Sequence, residues 1–212
     1  MKPMIPPPQT APVEELQVCI TDCTVKMGNI PSVSLIPVID CPPTAPCRDL
    51  CYGRIAWRLR PTVRAAWTRN SVFAHQDPQR YFQQVRGYLL HQEPEWFRWH
   101  VAGEIPNQAY LNEMIAIAKE FPKIRFLAFT KRHDLDYHLR PQNLAIVFSM
   151  WPGWGNPQDA RRAGLPIAWL DNGQEPRIPQ DAISCPGHCE NCAMCWHLPR
   201  IGKDITFKFR KN

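Results

Sequence analysis

The sequence lacks a long hydrophobic run: none of its stretches approaches the roughly eighteen consecutive apolar residues that a membrane-spanning helix needs. The first residues are rich in proline and have no apolar segment of the kind found in signal peptides. An even set of cysteines for a closed disulfide framework is also missing, because the chain has nine. These absences predict a soluble cytoplasmic protein without a membrane partner, in which the thiols stay reduced.

The composition is sufficient for one folded domain. With 212 residues and 44% hydrophobic content the chain can bury a substantial core. We expect a flexible proline-rich arm over residues 1–13, followed by a single α/β domain over residues 14–212. The net charge is +6 and arginines crowd residues 54–69, so nucleic acid is a candidate partner. The alternative is a basic face that meets only solvent.

Seven of the nine cysteines fall into two groups whose spacing suits thiolate ligands of a metal. The first group is Cys41, Cys47 and Cys51. The second group is Cys185, Cys189, Cys192 and Cys195. Compact spacing in two separate groups favours iron–sulfur clusters, and we expect two of the 4Fe–4S type. Zinc is the alternative at the second group, since four thiolates also hold a tetrahedral ion.

The number of thiols in each group indicates what each centre does. A cubane cluster has four irons, so three thiolates leave one iron free to bind another ligand, whereas four thiolates close the cluster. The first group is therefore the candidate reactive centre, and the second an auxiliary or structural one. Cys19 or Cys23 could supply a fourth thiol to the first group, or both could be ordinary buried or idle cysteines.

Strand and helix signals alternate along the chain. Apolar runs predict strands over residues 32–38, 96–102, 124–129, 144–149, 165–170 and 205–209. Capping residues and first-turn prolines predict helices that begin near Pro61, Asp77, Asn107 and Asn156. The order predicts an α/β fold, a partial (βα) barrel of about six parallel strands with cysteine-rich loops at their C-terminal ends. A doubly wound open sheet is the structural alternative.

Further polar residues follow the predicted strands at the same edge as the first cysteine group. Gly103 and Glu104 follow the second strand, and Lys131 follows the third. Lys131 could bind a substrate anion or could be paired at the rim of the sheet. His100 is either a core histidine or a ligand or acid–base group.

Several segments resemble the phage gene product 88 family over roughly residues 24–200. The resemblance rests on residues 26–28, 30–35, 69–70 and 98–101, together with both cysteine groups. That family is found in phages and mobile elements. The resemblance implies metal binding and indicates no substrate.

The first group is also similar, more distantly, to the radical S-adenosylmethionine barrel superfamily. That resemblance implies Cys41, Cys47 and Cys51 as cluster ligands, with Tyr52 as a neighbouring aromatic residue. It implies that Gly103 and Glu104 contact the amino group of S-adenosylmethionine. The spacing here is C-x5-C-x3-C, whereas the superfamily usually has C-x3-C-x2-C.

Taken with the metal ligands, this resemblance favours an enzyme. We expect an iron–sulfur protein of phage or mobile-element type that carries out redox or radical chemistry on a substrate that no motif identifies. The alternative is a non-catalytic iron–sulfur or zinc protein that binds nucleic acid.

Overall fold

One sheet of seven parallel strands runs through the computed structural model, which describes residues 4–208. The strands are β1 Ser32–Val33, β2 Trp96–Trp99, β3 Arg125–Thr130, β4 Leu144–Met150, β5 Ile167–Asp171, β6 Ile183–Ser184 and β7 Ile205–Lys208. Their order across the sheet is β1-β2-β3-β4-β5-β7-β6, and every neighbouring pair is parallel. All the strands therefore end at the same edge of the sheet.

Six α-helices lie between these strands in the described part of the chain. They are α1 Tyr52–Leu59, α2 Pro61–Gln76, α3 Pro78–Gln92, α4 Gln108–Glu120, α5 Pro157–Arg162 and α6 Met194–Ile201. Four of them begin as predicted: α2 begins at Pro61, and at the other three the side chains of Asp77, Asn107 and Asn156 each accept a backbone N–H of the first turn. None of the helices described is long and apolar enough to cross a bilayer.

The α/β class is confirmed, and the predicted barrel is not. Within residues 4–208 the sheet stays open, with β1 and β6 as its two edges. From β1 to β5 the strands follow one another without the reversal of order that marks a doubly wound sheet. The first two predicted strands were too long, since only Ser32–Val33 and Trp96–Trp99 join the ladder. Phe209, the end of the last predicted strand, lies outside the described residues.

The two faces of the sheet are covered by different elements. Side chains alternate along each strand, so Phe126 lies on one face and Leu127 on the other. The first face packs against α3, α4 and α5 in the larger core cluster. The second face packs against α6, where Trp196 and Leu198 cover the sheet. Because α6 runs beside β3 and β4, it brings the second cysteine group onto this face.

The beginning of the described chain contacts the folded domain. Trp57 is fully buried in α1, and its indole N–H donates to the carbonyl oxygen of Ile5 at 2.9 Å. Met4 packs against the same small apolar cluster. At least these two residues of the predicted arm are thus held against α1.

Gly103 has a backbone role that predicts a large effect of substitution. Its φ is +84°, and a Cβ there would lie 2.7 Å from the Cβ of Leu35, just beyond β1. We expect Gly103→Ala to lower the free energy of unfolding by about 2–4 kcal/mol, measured by urea denaturation. Gly87→Ala, in an open position of α3, is the control and should raise stability by about 0.5–1 kcal/mol. Equal, small effects of both substitutions would contradict this interpretation.

Candidate functional site

The first cysteine group lies in a chain of turns beyond the end of β1. Asp40 N–H donates to Ile36 O at 3.1 Å, and Leu50 N–H donates to Cys47 O at 3.0 Å. Cys51 then forms the N-cap position of α1. The backbone of this loop forms no helix or strand, and short turns that contain proline hold its shape.

Asp40 fixes the loop to α2. Its carboxylate accepts the backbone N–H of Ile36 at 2.7 Å and the hydroxyl of Ser71 at 2.8 Å. Its other oxygen lies 2.8 Å from Nε2 of His75, and the hydrogen bond to Asp40 raises the pKa of His75. The sequence interpretation missed this anchor, although Asp40 directly precedes Cys41.

Glu104 and Lys131 lie beside the first cysteine group. Glu104 is only 2% exposed, and it accepts the backbone N–H groups of Ile105 at 2.9 Å and Lys131 at 2.8 Å. The ammonium group of Lys131 lies within electrostatic reach of Glu104, Cys41 and Cys47. Three loops that follow β1, β2 and β3 thus meet, as expected for parallel neighbours.

Tyr52 belongs to the same region. The residue as a whole is exposed, while its hydroxyl donates to the carbonyl oxygen of Val101 in the loop after β2. It therefore joins the start of α1 to the segment that carries Gly103 and Glu104.

The surroundings of Cys41 and Cys47 favour neutral thiols in the metal-free protein. Burial, together with the nearby Glu104 carboxylate, raises the pKa of Cys41 to about 12. Burial also raises the pKa of Glu104 itself, against the opposing effect of Lys131. A metal bound here would have to displace the thiol protons, as thiolate ligation generally does.

The second cysteine group lines one small pocket between the sheet and α6. Its walls include Cys185, Cys189, Cys192 and Cys195. Cys185 follows β6 directly, and its N–H donates to Thr206 O at 2.9 Å. Burial raises the pKa of Cys195 to about 12, with Arg98 opposing that effect.

A turn early in the chain holds this second loop in place. Cys189 N–H donates to Lys26 O at 3.0 Å, and the side chain of Asn29 donates to Glu190 at 2.9 Å. Gly28 fits beneath Glu190, because a Cβ at Gly28 would overlap that side chain. Residues 26–28, which the sequence offered only as a matching motif, therefore form a docking turn.

Arg98 lies between the two groups. Its charge reaches Tyr52 on one side and Cys189 and Cys195 on the other. Its guanidinium lies 4.8 Å from the centre of the Phe129 ring. Its Nε is enclosed without a hydrogen-bond partner, and no carboxylate among residues 4–208 forms an ion pair with it.

Neither Cys19 nor Cys23 is described in contact with the first cysteine group. Cys19 is held by α2, where Arg69 donates to its sulfur at 2.9 Å and Asn70 accepts its N–H at 2.7 Å. Cys23 is exposed.

All nine cysteines are free thiols. Over the described range no three His, Cys, Asp or Glu side chains converge tightly enough to hold a metal ion, so ligation at either group stays a prediction.

His100 predicts an acid-sensitive stability. It is buried at a φ of +55°, and neither ring nitrogen has a described hydrogen-bond partner. Burial lowers the pKa of His100 to about 3, against 6.5 when unfolded. Below about pH 6.5 only the unfolded state takes up this proton, so stability is complete above that pH and falls as the pH drops. The expected loss is about 2 kcal/mol between about pH 6.5 and about pH 4.5.

The measurement is urea denaturation at several pH values, with His100→Asn for comparison, because asparagine tolerates a positive φ. The variant should lose less stability than the native chain over this range. If both proteins showed the same pH dependence, the acid sensitivity could not be attributed to His100.

Comparison with known proteins gives one match. A family model described as gene product 88 matches residues 10–198. Neither the curated proteins nor the solved structures contain a match. The comparisons do not show the more distant resemblance to the radical S-adenosylmethionine superfamily. The matched segment includes both cysteine groups and most of the sheet, and the chain belongs to the gene product 88 family.

Proposed function

We propose that this chain is an iron–sulfur protein with two centres, an open one at the first cysteine group and a closed one at the second. The observation that carries the proposal is Arg98. Its Nε is enclosed without a hydrogen-bond partner, and its charge acts on Cys189 and Cys195 with no carboxylate partner in the described chain, so a nearby anion would stabilise it. Thiolates that hold a cluster supply that negative charge, and Lys26 adds a second cation beside Cys189.

Both residue sets fit such centres in their donor chemistry. Thiolates are the usual ligands of iron–sulfur clusters, and the four cysteines of the second group share one pocket. A bound cluster would supply one-electron chemistry at either site. The protein would contribute the apolar cover of Trp196 and the positive charge of Arg98.

Glu104 and Lys131 make the first centre suitable for a ligand that carries one positive and one negative group. Each oxygen of Glu104 accepts one backbone N–H and keeps capacity for a further donor, such as an ammonium group. Lys131 offers donors for a carboxylate. A zwitterionic amino acid group has this pattern, and S-adenosylmethionine carries one. We include its binding, and enzymatic activity, in the proposal.

The proposal extends to the shape of the sheet. Consecutive parallel strands from β1 to β5, with the candidate residues gathered at their C-terminal edge, are typical of an incomplete (βα) barrel. The second cysteine group and α6 would then occupy the concave side.

The test is anaerobic purification with quantification of iron, acid-labile sulfide and zinc. We expect iron and sulfide for two clusters and little zinc. Cys192→Ala and Cys47→Ala should each lower iron content by about half, because each removes one ligand set. Cys23→Ala, at an exposed cysteine, is the matched control and should retain full iron. Zinc without iron, or unchanged iron in both variants, would refute the proposal.

A further inference from the structure

Residues 50–76 carry an unbalanced positive charge. This stretch, which includes α1 and α2, has no aspartate, glutamate or lysine. Its five arginines are Arg54, Arg58, Arg60, Arg64 and Arg69. We call the part of the surface formed by these arginines the basic surface. Arginine forms paired hydrogen bonds with phosphate through its planar fork, which lysine does not.

Four of these arginines lack the acidic partners that several other arginines of the described chain have. Elsewhere Arg86, Arg132 and Arg161 form ion pairs with carboxylates. In contrast, no ion pair is described for Arg58, Arg60, Arg64 or Arg69. The guanidinium of Arg64 donates to the carbonyl oxygen of Trp57, and Arg60 is exposed. An anionic partner would not have to displace a carboxylate from these side chains.

Exposed apolar side chains lie beside this charge on α1. Tyr52 is 58% exposed, Ile55 42% and Leu59 71%, at the spacing of one helical face. The hydroxyl of Tyr52 is held by Val101 O, so its ring is fixed while much of it meets solvent. A fixed aromatic ring close in sequence to Arg58 and Arg60, for which no ion pair is described, is the combination on which single-stranded nucleic acids bind, with bases stacked and phosphates paired.

We propose that the basic surface binds single-stranded nucleic acid. Arg58, Arg60 and Arg64 pair with phosphates, and Tyr52 stacks on a base. Because Cys51 directly precedes α1, the bound strand passes the loop of the first cysteine group. This surface involves no metal, so the inference stands independently of the iron–sulfur proposal.

The experiment uses the full chain and a fluorescein-labelled twenty-nucleotide oligothymidylate, with fluorescence anisotropy measured at several salt concentrations. We expect affinity to fall steeply with salt, with a slope of about −0.7 for each phosphate contact. Arg58→Gln with Arg60→Gln should weaken binding at least tenfold at low salt and reduce the slope by about 1.4. The control combines Lys123→Gln and Arg200→Gln, which remove the same charge from exposed positions outside α1 and α2. It should bind almost as tightly as the native chain.

Tyr52 provides a second measurement. Tyr52→Leu should weaken binding by about fivefold or more, whereas Tyr52→Phe should keep the affinity, because only phenylalanine preserves the stacking ring. Equal weakening by the two charge-removing pairs would overturn the proposal, and so would no binding at low salt. Binding to vesicles that contain phosphatidylserine, without binding to the oligonucleotide, would overturn it in favour of a membrane surface. If the protein bound duplex DNA as tightly as the single strand, the proposed preference for single-stranded nucleic acid would be refuted.

Discussion

Asp204→Ala is expected to lower the free energy of unfolding by about 4 kcal/mol. Asp204 is 4% exposed, and two of its hydrogen bonds come from the guanidinium of Arg161 at 2.9 and 2.5 Å. It also accepts the N–H of Ile167 at 2.9 Å and the indole N–H of Trp169 at 2.8 Å. One carboxylate thus joins α5, β5 and the start of β7. Its removal leaves the buried N–H groups of Ile167 and Trp169 unsatisfied and breaks the ion pair with the half-exposed Arg161, which costs several kcal/mol in total.

Urea denaturation measures this loss, and Asp181→Ala provides the matched control. Asp181 is an exposed aspartate that pairs with Lys203, so its loss should change stability much less than the loss of Asp204. A similar effect of both substitutions would show that Asp204 does not join these elements.

Arg98→Gln should make the proposed centre at the second cysteine group harder to reduce. The substitution removes a positive charge beside Cys189 and Cys195, so the added electron loses a favourable interaction. At a distance of roughly 8 Å and an effective dielectric constant of about 20, that interaction is about 2 kcal/mol. For a one-electron centre this equals a fall in reduction potential of roughly 90 mV.

A redox titration monitored by electron paramagnetic resonance measures this change. Arg98→Lys keeps the charge and should shift the potential much less. Arg125→Gln is the control, because Arg125 also lies over an aromatic ring, 5.0 Å from the centre of the Trp96 ring, but sits at the first position of β3. If Arg98→Gln kept its full iron content and the reduction potential did not change, Arg98 would not be the charge partner of the second centre. Absence of any cluster would instead refute the iron–sulfur proposal.

The sequence was most informative where structure depends on neighbouring residues. Asp77, Asn107 and Asn156 cap helices through backbone groups two or three positions away, so their roles were predictable. The meeting of Glu104 and Lys131 also followed from the sequence, since loops after consecutive parallel strands share an edge. Their roles in binding a cofactor remain predictions.

Contacts between distant segments were not predictable. His75 meets Asp40 only because α2 packs behind the cysteine loop, and nothing in their spacing indicates it. The helix α6 was missed because Pro199 lies inside it, and proline there removes a backbone hydrogen bond. Packing of Trp196 and Leu198 against the sheet offsets that loss. Strand β6 has two residues, too few to give an alternating pattern.

The docking of Glu190 on Asn29, across 161 positions, sets an order of events during protein synthesis. The turn at residues 26–29 leaves the ribosome early, but its partner emerges only after β1 to β5 have been made. Until then the second face of the sheet, with Leu127 and Val147, lacks the cover of α6. The components of the first site, from Cys41 to Lys131, are all available much sooner. The residues of the first site are therefore all present on the nascent chain before the second cysteine group has been made.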